Sequence, residues 1–189
     1  MNDIQKERFK TLLLLNENVF AYDKWDLGRT DIVTHKIDTQ HADPIRQKPR
    51  RLPFAPRSEL TTQIDKMLTQ DIIEPSESSW SSPIVPIRKK YGTMRLSIDY
   101  RKMNDVTKKD LFPVLRIDDK LDALSGAEWF NVLDIQSGYF QVICDIHDRE
   151  KTAFVTENGL YQFKVIPMGL CNAPATFERL MNKVLKGLS

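Results

Sequence analysis

The run from Trp129 to Val142 constrains the fold more than any other stretch of the chain. Trp129, Phe130, Val132, Leu133 and Ile135 leave little polar surface, which predicts a buried strand. That strand delivers a single carboxylate, Asp134, at its end. A charge there is costly to desolvate unless it meets a cation or opens into a cleft. Two readings of Asp134 stand side by side: a hard-oxygen ligand for a divalent metal, or a strand-terminal aspartate that caps the following turn.

With 189 residues and 41% hydrophobic content, the chain can bury a real core as one large domain or two small ones. Its net charge of +2 conceals an uneven distribution: residues 44–60 carry +4, residues 84–109 carry +6, and the remainder carries −8. The first basic window holds Arg46, Lys48, Arg50, Arg51 and Arg57, and the second holds Arg88, Lys89, Lys90, Arg95, Arg101, Lys102, Lys108 and Lys109. Such concentration suits a polyanionic partner; solvated basic loops are the plainer alternative. Cys144 and Cys171 match no zinc spacing, and His35, His41 and His147 stand beside no metal-site pattern, so all three histidines read as ordinary core or surface residues. Nothing at the N-terminus resembles a signal peptide or a membrane span, and the expectation is an intracellular protein in a reducing compartment.

Periodicity predicts an amphipathic helix over residues 3–20, a strand over Ile32–Thr39, and a proline-rich basic arm from Ala42 to Pro56 that excludes helix. Leu60, Ile64, Met67 and Leu68 fall on one face of a second helix starting near Pro56 or Ser58. A serine-rich loop around Trp80 leads into a basic hairpin, Ile84–Ile87 against Met94–Ile98, turning at Tyr91-Gly92-Thr93. Asp118–Leu124 reads as a short helix. A second hairpin joins Thr152–Thr156 to Leu160–Val165 through Glu157-Asn158-Gly159, and a last helix begins at Asn172-Ala173-Pro174 with Asn172 as its cap. Strands and helices intermixed, with two projecting hairpins, place the chain in the α+β class.

Several ordered blocks carry a family resemblance: His35-Lys36-Ile37-Asp38-Thr39; Trp80 to Val85; Arg95 with Asp99-Tyr100-Arg101 and Asn104; Leu133-Asp134 with Ser137-Gly138-Tyr139; Lys151 to Phe154; and Pro167 to Leu170 with Asn172-Ala173-Pro174. In order and spacing they resemble the reverse transcriptase domain of gypsy-type long-terminal-repeat retrotransposon Pol polyproteins, from about His35 to Leu185. The chain departs from the family at Phe140, often His; at Met168, often Phe; and at Phe112-Pro113-Val114-Leu115, which lacks a second proline. All three departures keep apolar or near-isosteric character.

The resemblance implies a right-hand polymerase of reverse-transcriptase type, in which residues 1–34 are an upstream connector and 35–189 a partial domain. Fingers would comprise about residues 45–109 and 142–171, and palm about 110–141 and 172–189. It implies template-directed nucleotidyl transfer to a primer 3′-hydroxyl with Mg²⁺, or Mn²⁺ as a substitute, in a two-metal mechanism. Asp134 and the Ile135 carbonyl correspond to metal ligands, Lys89 and Arg95 to triphosphate contacts, and Tyr139 to a ring that excludes a ribose 2′-hydroxyl. Met168 and Gly169 correspond to nucleotide or template contacts; Asp99 and Arg101 remain open between a structural ion pair and a template contact. The family's other metal carboxylates come from an aspartate pair in a hairpin following the final helix, and this sequence does not include it. Implied partners are template–primer, deoxynucleoside triphosphates and neighbouring polyprotein regions such as ribonuclease H and integrase. A non-catalytic nucleic-acid-binding remnant is the competing reading, and an RNA-copying palm polymerase is a third that Tyr139 opposes.

Overall fold

The turn at Glu157-Asn158-Gly159 closes a hairpin, with the Thr156 N–H donating to the Gly159 carbonyl at 2.8 Å. In the computed structural model, which describes residues 2–51, 54–88, 92, 94–113, 122, 124–128 and 130–187, this hairpin is the centre of a four-stranded sheet. β2 (Ile73–Pro75), β3 (Ser82–Pro83), β7 (Phe154–Val155) and β8 (Leu160–Phe163) lie in the order β2-β8-β7-β3. β8 runs antiparallel to both neighbours, with Ile73 opposite Phe163, while β3 and β7 are parallel, with Ser82 opposite Phe154. The core gathers on this sheet: Ile72, Ile73, Trp80, Phe154, Phe163 and Ile166 are all buried. A tilted contact between the Phe154 and Phe163 rings, centroids 5.3 Å apart, adds to it.

α2 (Phe54–Thr69) buries Leu60, Ile64 and Met67, three residues of the face expected from their spacing. α4 (Ala173–Val184) packs against β1 (Thr30–His35), and α3 (Arg101–Val106) inserts Met103 into the core. β1 pairs in parallel with β6 (Val142–Cys144), linking the N-terminal fifth of the chain to the segment just after Tyr139. The basic hairpin forms as expected: β4 (Ile87–Arg88) pairs antiparallel with β5 (Met94–Arg95), and Ile84 bridges Ile98 below it.

The largest departure from expectation lies at residues 130–135. They form no regular secondary structure and pair with no strand among the described residues, and Phe130, Val132 and Leu133 are 61%, 93% and 83% exposed. An apolar run becomes a strand only where a neighbour completes its ladder, and none does so among the described residues. The first helix, α1 (Asp3–Leu15), is shorter than expected, ending in a 3-10 turn at Glu17–Val19, and buries none of its residues. Its helical state rests on an Asn2/Gln5 capping box, with Asn2 Oδ1 accepting the Gln5 N–H and Gln5 Oε1 accepting the Asn2 N–H.

β1 stops at His35 rather than reaching Thr39. Beyond it, side chains replace the ladder: Asp148 Oδ2 accepts the Ile37 N–H at 2.8 Å, and Lys151 Nζ donates to the Ile37 carbonyl at 2.6 Å. Asn172 stands at the N-cap of α4, yet its side chain makes no cap bond and is used elsewhere. The expected helix over Asp118–Leu124 and the residues Tyr91 and Thr93 of the first turn fall mainly outside the described residues. Among the described residues no helix is long and apolar enough to cross a membrane.

Candidate functional site

Arg95 is placed by α2. The free edge of β5 takes side chains in lieu of a third strand: Glu59 Oε1 accepts the Met94 N–H at 2.9 Å, Gln63 Nε2 donates to the Met94 carbonyl at 2.9 Å, and Gln63 Oε1 accepts the Leu96 N–H at 3.2 Å. From this fixed edge the Arg95 guanidinium reaches across to hydrogen-bond the Met168 sulfur. Two residues expected to contact substrate, 73 positions apart, are thereby brought together. Lys89 lies outside the described residues.

Asn104 holds the Met168-Gly169 turn, and Asn172 ties the start of α4 to residues 108–110. Asn104 donates its amide to the Gly169 carbonyl at 2.8 Å and accepts the Cys171 N–H at 2.9 Å. Asn172 donates to the Lys108 carbonyl at 2.8 Å and accepts the Asp110 N–H at 3.0 Å, which is why it cannot cap α4. Gly169 has φ +101°, a left-handed conformation that a side chain would strain. Asp110 in turn forms a two-point pair with Arg179 of α4, at 2.5 and 2.6 Å, so the start of the 110–113 segment is tied to the last helix.

Opposite this turn, Ser137 sits in the left-handed region at φ 46° and starts a 3-10 turn over Gly138–Gln141. Gly138 is pressed against Phe177: a Cβ there would lie 2.8 Å from Phe177 Cζ. Tyr139 meets the same ring edge to face, and Phe140 stacks on Phe163 with centroids 6.2 Å apart. Arg29, from the segment before β1, donates to the Phe140 carbonyl at 2.8 Å and to the Gln70 and Asp71 carbonyls at 3.1 and 3.3 Å.

Between the two turns lies a cavity of about 270 Å³, walled in part by Arg95, Met168, Ser137 and Phe140 and, unexpectedly, by Lys24 and Trp25. No periodicity marks Lys24, Trp25 or Arg29; only the spatial closure of the chain reveals them. Asp134 is in the exposed irregular segment preceding the Ser137 turn, as is Ile135. Among the described residues no three His, Cys, Asp or Glu side chains converge on a metal-sized site. Asp99 and Arg101 form an ion pair: Arg101 binds both carboxylate oxygens, at 2.8 and 2.6 Å, and Arg50 adds a 2.6 Å contact. Hydrogen bonding from Arg101 draws the Asp99 carboxyl down to about 2 against its desolvation.

The sequence profile described as "Reverse transcriptase (RNA-dependent DNA polymerase)" matches residues 87–189. The retrovirus-related Pol polyprotein from transposon 297 of Drosophila melanogaster is 36% identical over 97% of this chain and 18% of its own length. The corresponding polyprotein from transposon gypsy of the same fly is 33% identical over 97% of this chain and 18% of its own. The chain therefore spans less than a fifth of the length of these two polyproteins. In fold it resembles the foamy viral protease-reverse transcriptase solved in complex with an RNA/DNA hybrid, with a TM-score of 0.84, 21% identity, and coverage of 100% of this chain and 25% of that one. Because the family match covers more than half of the residues and takes in both turns around the cavity, the chain belongs to the reverse transcriptase (RNA-dependent DNA polymerase) family.

Proposed function

We propose that this chain is the nucleotide- and template-binding part of a polymerase that copies RNA into DNA by adding nucleotides to a primer 3′-hydroxyl. The observation that carries the reading is the convergence of Arg95 and Met168 on one wall, and of the Ser137–Tyr139 turn near the other, around a cavity that no acidic side chain lines among the described residues. A guanidinium in such a place suits a triphosphate, since its planar fork makes two-point contact with phosphate oxygens. Lys89 is assigned the same role by family resemblance. Tyr139, wedged by Phe177, is assigned as the ring that excludes a 2′-hydroxyl, and Met168 and Gly169 as the surface under the nucleotide.

Asp99 and Arg101 are read as a structural pair that shapes the fingers, with Arg101 on its exposed side left to meet template. The fingers, on this reading, span about residues 45–109 and 142–171, and the palm about 110–141 and 172–189. The RNA/DNA hybrid bound by the foamy viral relative supports a template–primer partner for the basic windows here.

Magnesium, with manganese as a substitute, is the ion this chemistry calls for, and Asp134 with the Ile135 carbonyl supplies hard oxygen ligands for it. These two groups alone do not make a two-ion centre, because close cations need several carboxylates to offset their repulsion. The aspartate-pair hairpin of the family is the required complement. When bound, such ions neutralise charge on the attacking and leaving oxygens.

The test is primer extension on an RNA template by a longer chain that continues through that hairpin. Template-dependent DNA synthesis, lost in Asp134→Asn, is expected. Full activity in Asp134→Asn would remove Asp134 from the chemistry, and binding of hybrid without any synthesis would favour a nucleic-acid-binding remnant.

A further inference from the structure

The segment before β1 contributes to the cavity described above, although nothing in its sequence marks it as part of a site. Arg29 anchors it. Its three long-range carbonyl contacts tie the segment both to the end of α2, at Gln70 and Asp71, and to the Phe140 carbonyl of the turn that bears Tyr139. Upstream, Asp23 Oδ1 accepts the N–H groups of Trp25 and Asp26 at 2.6 and 3.0 Å, closing a tight turn that sets the direction of Lys24. Trp25 is half-buried against the core, and the Lys24 ammonium lies 5.2 Å from the centre of its ring.

Both residues line the same cavity as Arg95, Ser137 and Met168. Among the described residues no carboxylate lines that cavity, and neither Lys24 nor Arg95 makes an ion pair. Asp23 and Asp26 flank Lys24 in sequence but lie outside the cavity lining among the described residues, each accepting a backbone N–H, Asp23 from Trp25 and Asp26 from Tyr22 at 3.1 Å. Two cations held beside one cavity with no acid between them repel each other, and an anion that enters relieves that repulsion.

We infer that Lys24 is a second cation of the nucleotide site, held by the connector to contact the polyphosphate of the incoming nucleotide. The inference rests on the nucleotide-site reading of Arg95 and extends it to a residue 71 positions upstream. Lys24 is exposed, so substituting it does not threaten the core.

The experiment is a calorimetric titration of the 189-residue chain with Mg²⁺-dTTP, with inorganic tripolyphosphate, and with the uncharged nucleoside deoxythymidine. Lys24→Met is expected to weaken dTTP and tripolyphosphate alike, by about three- to tenfold, as befits one charge-assisted contact. Lys24→Arg restores most of the affinity, and deoxythymidine is unaffected by either change. Arg95→Ala serves as the reference. If Arg95→Ala weakens dTTP while Lys24→Met leaves both anions unchanged, the inference about Lys24 is overturned and the nucleotide site stands. If neither substitution matters, or the unaltered chain binds neither anion, the reading of the site itself fails.

Discussion

Tyr139 and Phe177 meet edge to face, with ring centroids 5.4 Å apart and planes at 79°. The contact joins the turn that follows Asp134 to the last helix, and it fixes the tyrosine ring in one orientation. If that ring excludes a ribose 2′-hydroxyl, Tyr139→Val in a longer, active chain opens the space it occupies. The expected result is a large rise in ribonucleotide incorporation relative to deoxyribonucleotide. Equal ratios in the two proteins would return Tyr139 to a packing role.

Gly138 is the point of closest approach beneath that contact, with Phe177 Cζ and Cε2 only 2.8 and 2.9 Å from where a Cβ would stand. Gly138→Ala must push the Phe177 ring aside. A loss of about 1–3 kcal/mol is expected from overpacking, read as a lower urea midpoint with unchanged slope. An unchanged midpoint would mean that the ring moves without cost.

His35 is buried beneath α4, its Nδ1 2.8 Å from the Thr176 hydroxyl, and desolvation pulls its pKa from 6.5 down to about 4. The unfolded chain takes up the proton first, so stability is full above pH 6.5 and falls as the pH drops toward 4, by up to about 3 kcal/mol. Asp99, whose carboxyl is lowered to about 2, gives up its contribution only below its ordinary 3.8, outside this window. Urea midpoints at pH 7 and pH 4.5 test the effect, and His35→Gln should flatten the difference between them.

Template binding should depend steeply on salt. The positive charge is concentrated in residues 44–60 and 84–109, and phosphate contacts made by those residues release counterions. A labelled RNA/DNA hybrid is expected to lose at least about tenfold in affinity between about 50 and about 200 mM salt. Affinity that persists at several hundred millimolar would exclude phosphate contacts as its source.

The 189-residue chain alone should extend no primer with magnesium or manganese. Asp134 stands without a second convergent carboxylate among the described residues, since Asp99 is engaged by Arg50 and Arg101, and the Asp148 carboxylate by Ile37 and Lys151. Primer extension by this chain, abolished by Asp134→Asn, would show that a second metal ligand lies elsewhere in it.

Local order decided α2, both hairpins and α4, because a helical face, a Glu-Asn-Gly turn and a proline in a first turn act over a few residues. Ordered motif blocks were enough to reveal the family for the same reason: they are linear. Long-range closure decided the rest. An apolar run states that residues 130–135 favour burial, but only a neighbouring strand can provide it, and among the described residues none does. Asn172 had the chemistry of a cap and was drawn instead to the backbone of residues 108–110, where unpaired groups needed it more. The cavity wall at Lys24 and Trp25 exists because Arg29 finds three carbonyls 41 to 111 positions away, and no sequence period encodes a contact at that distance.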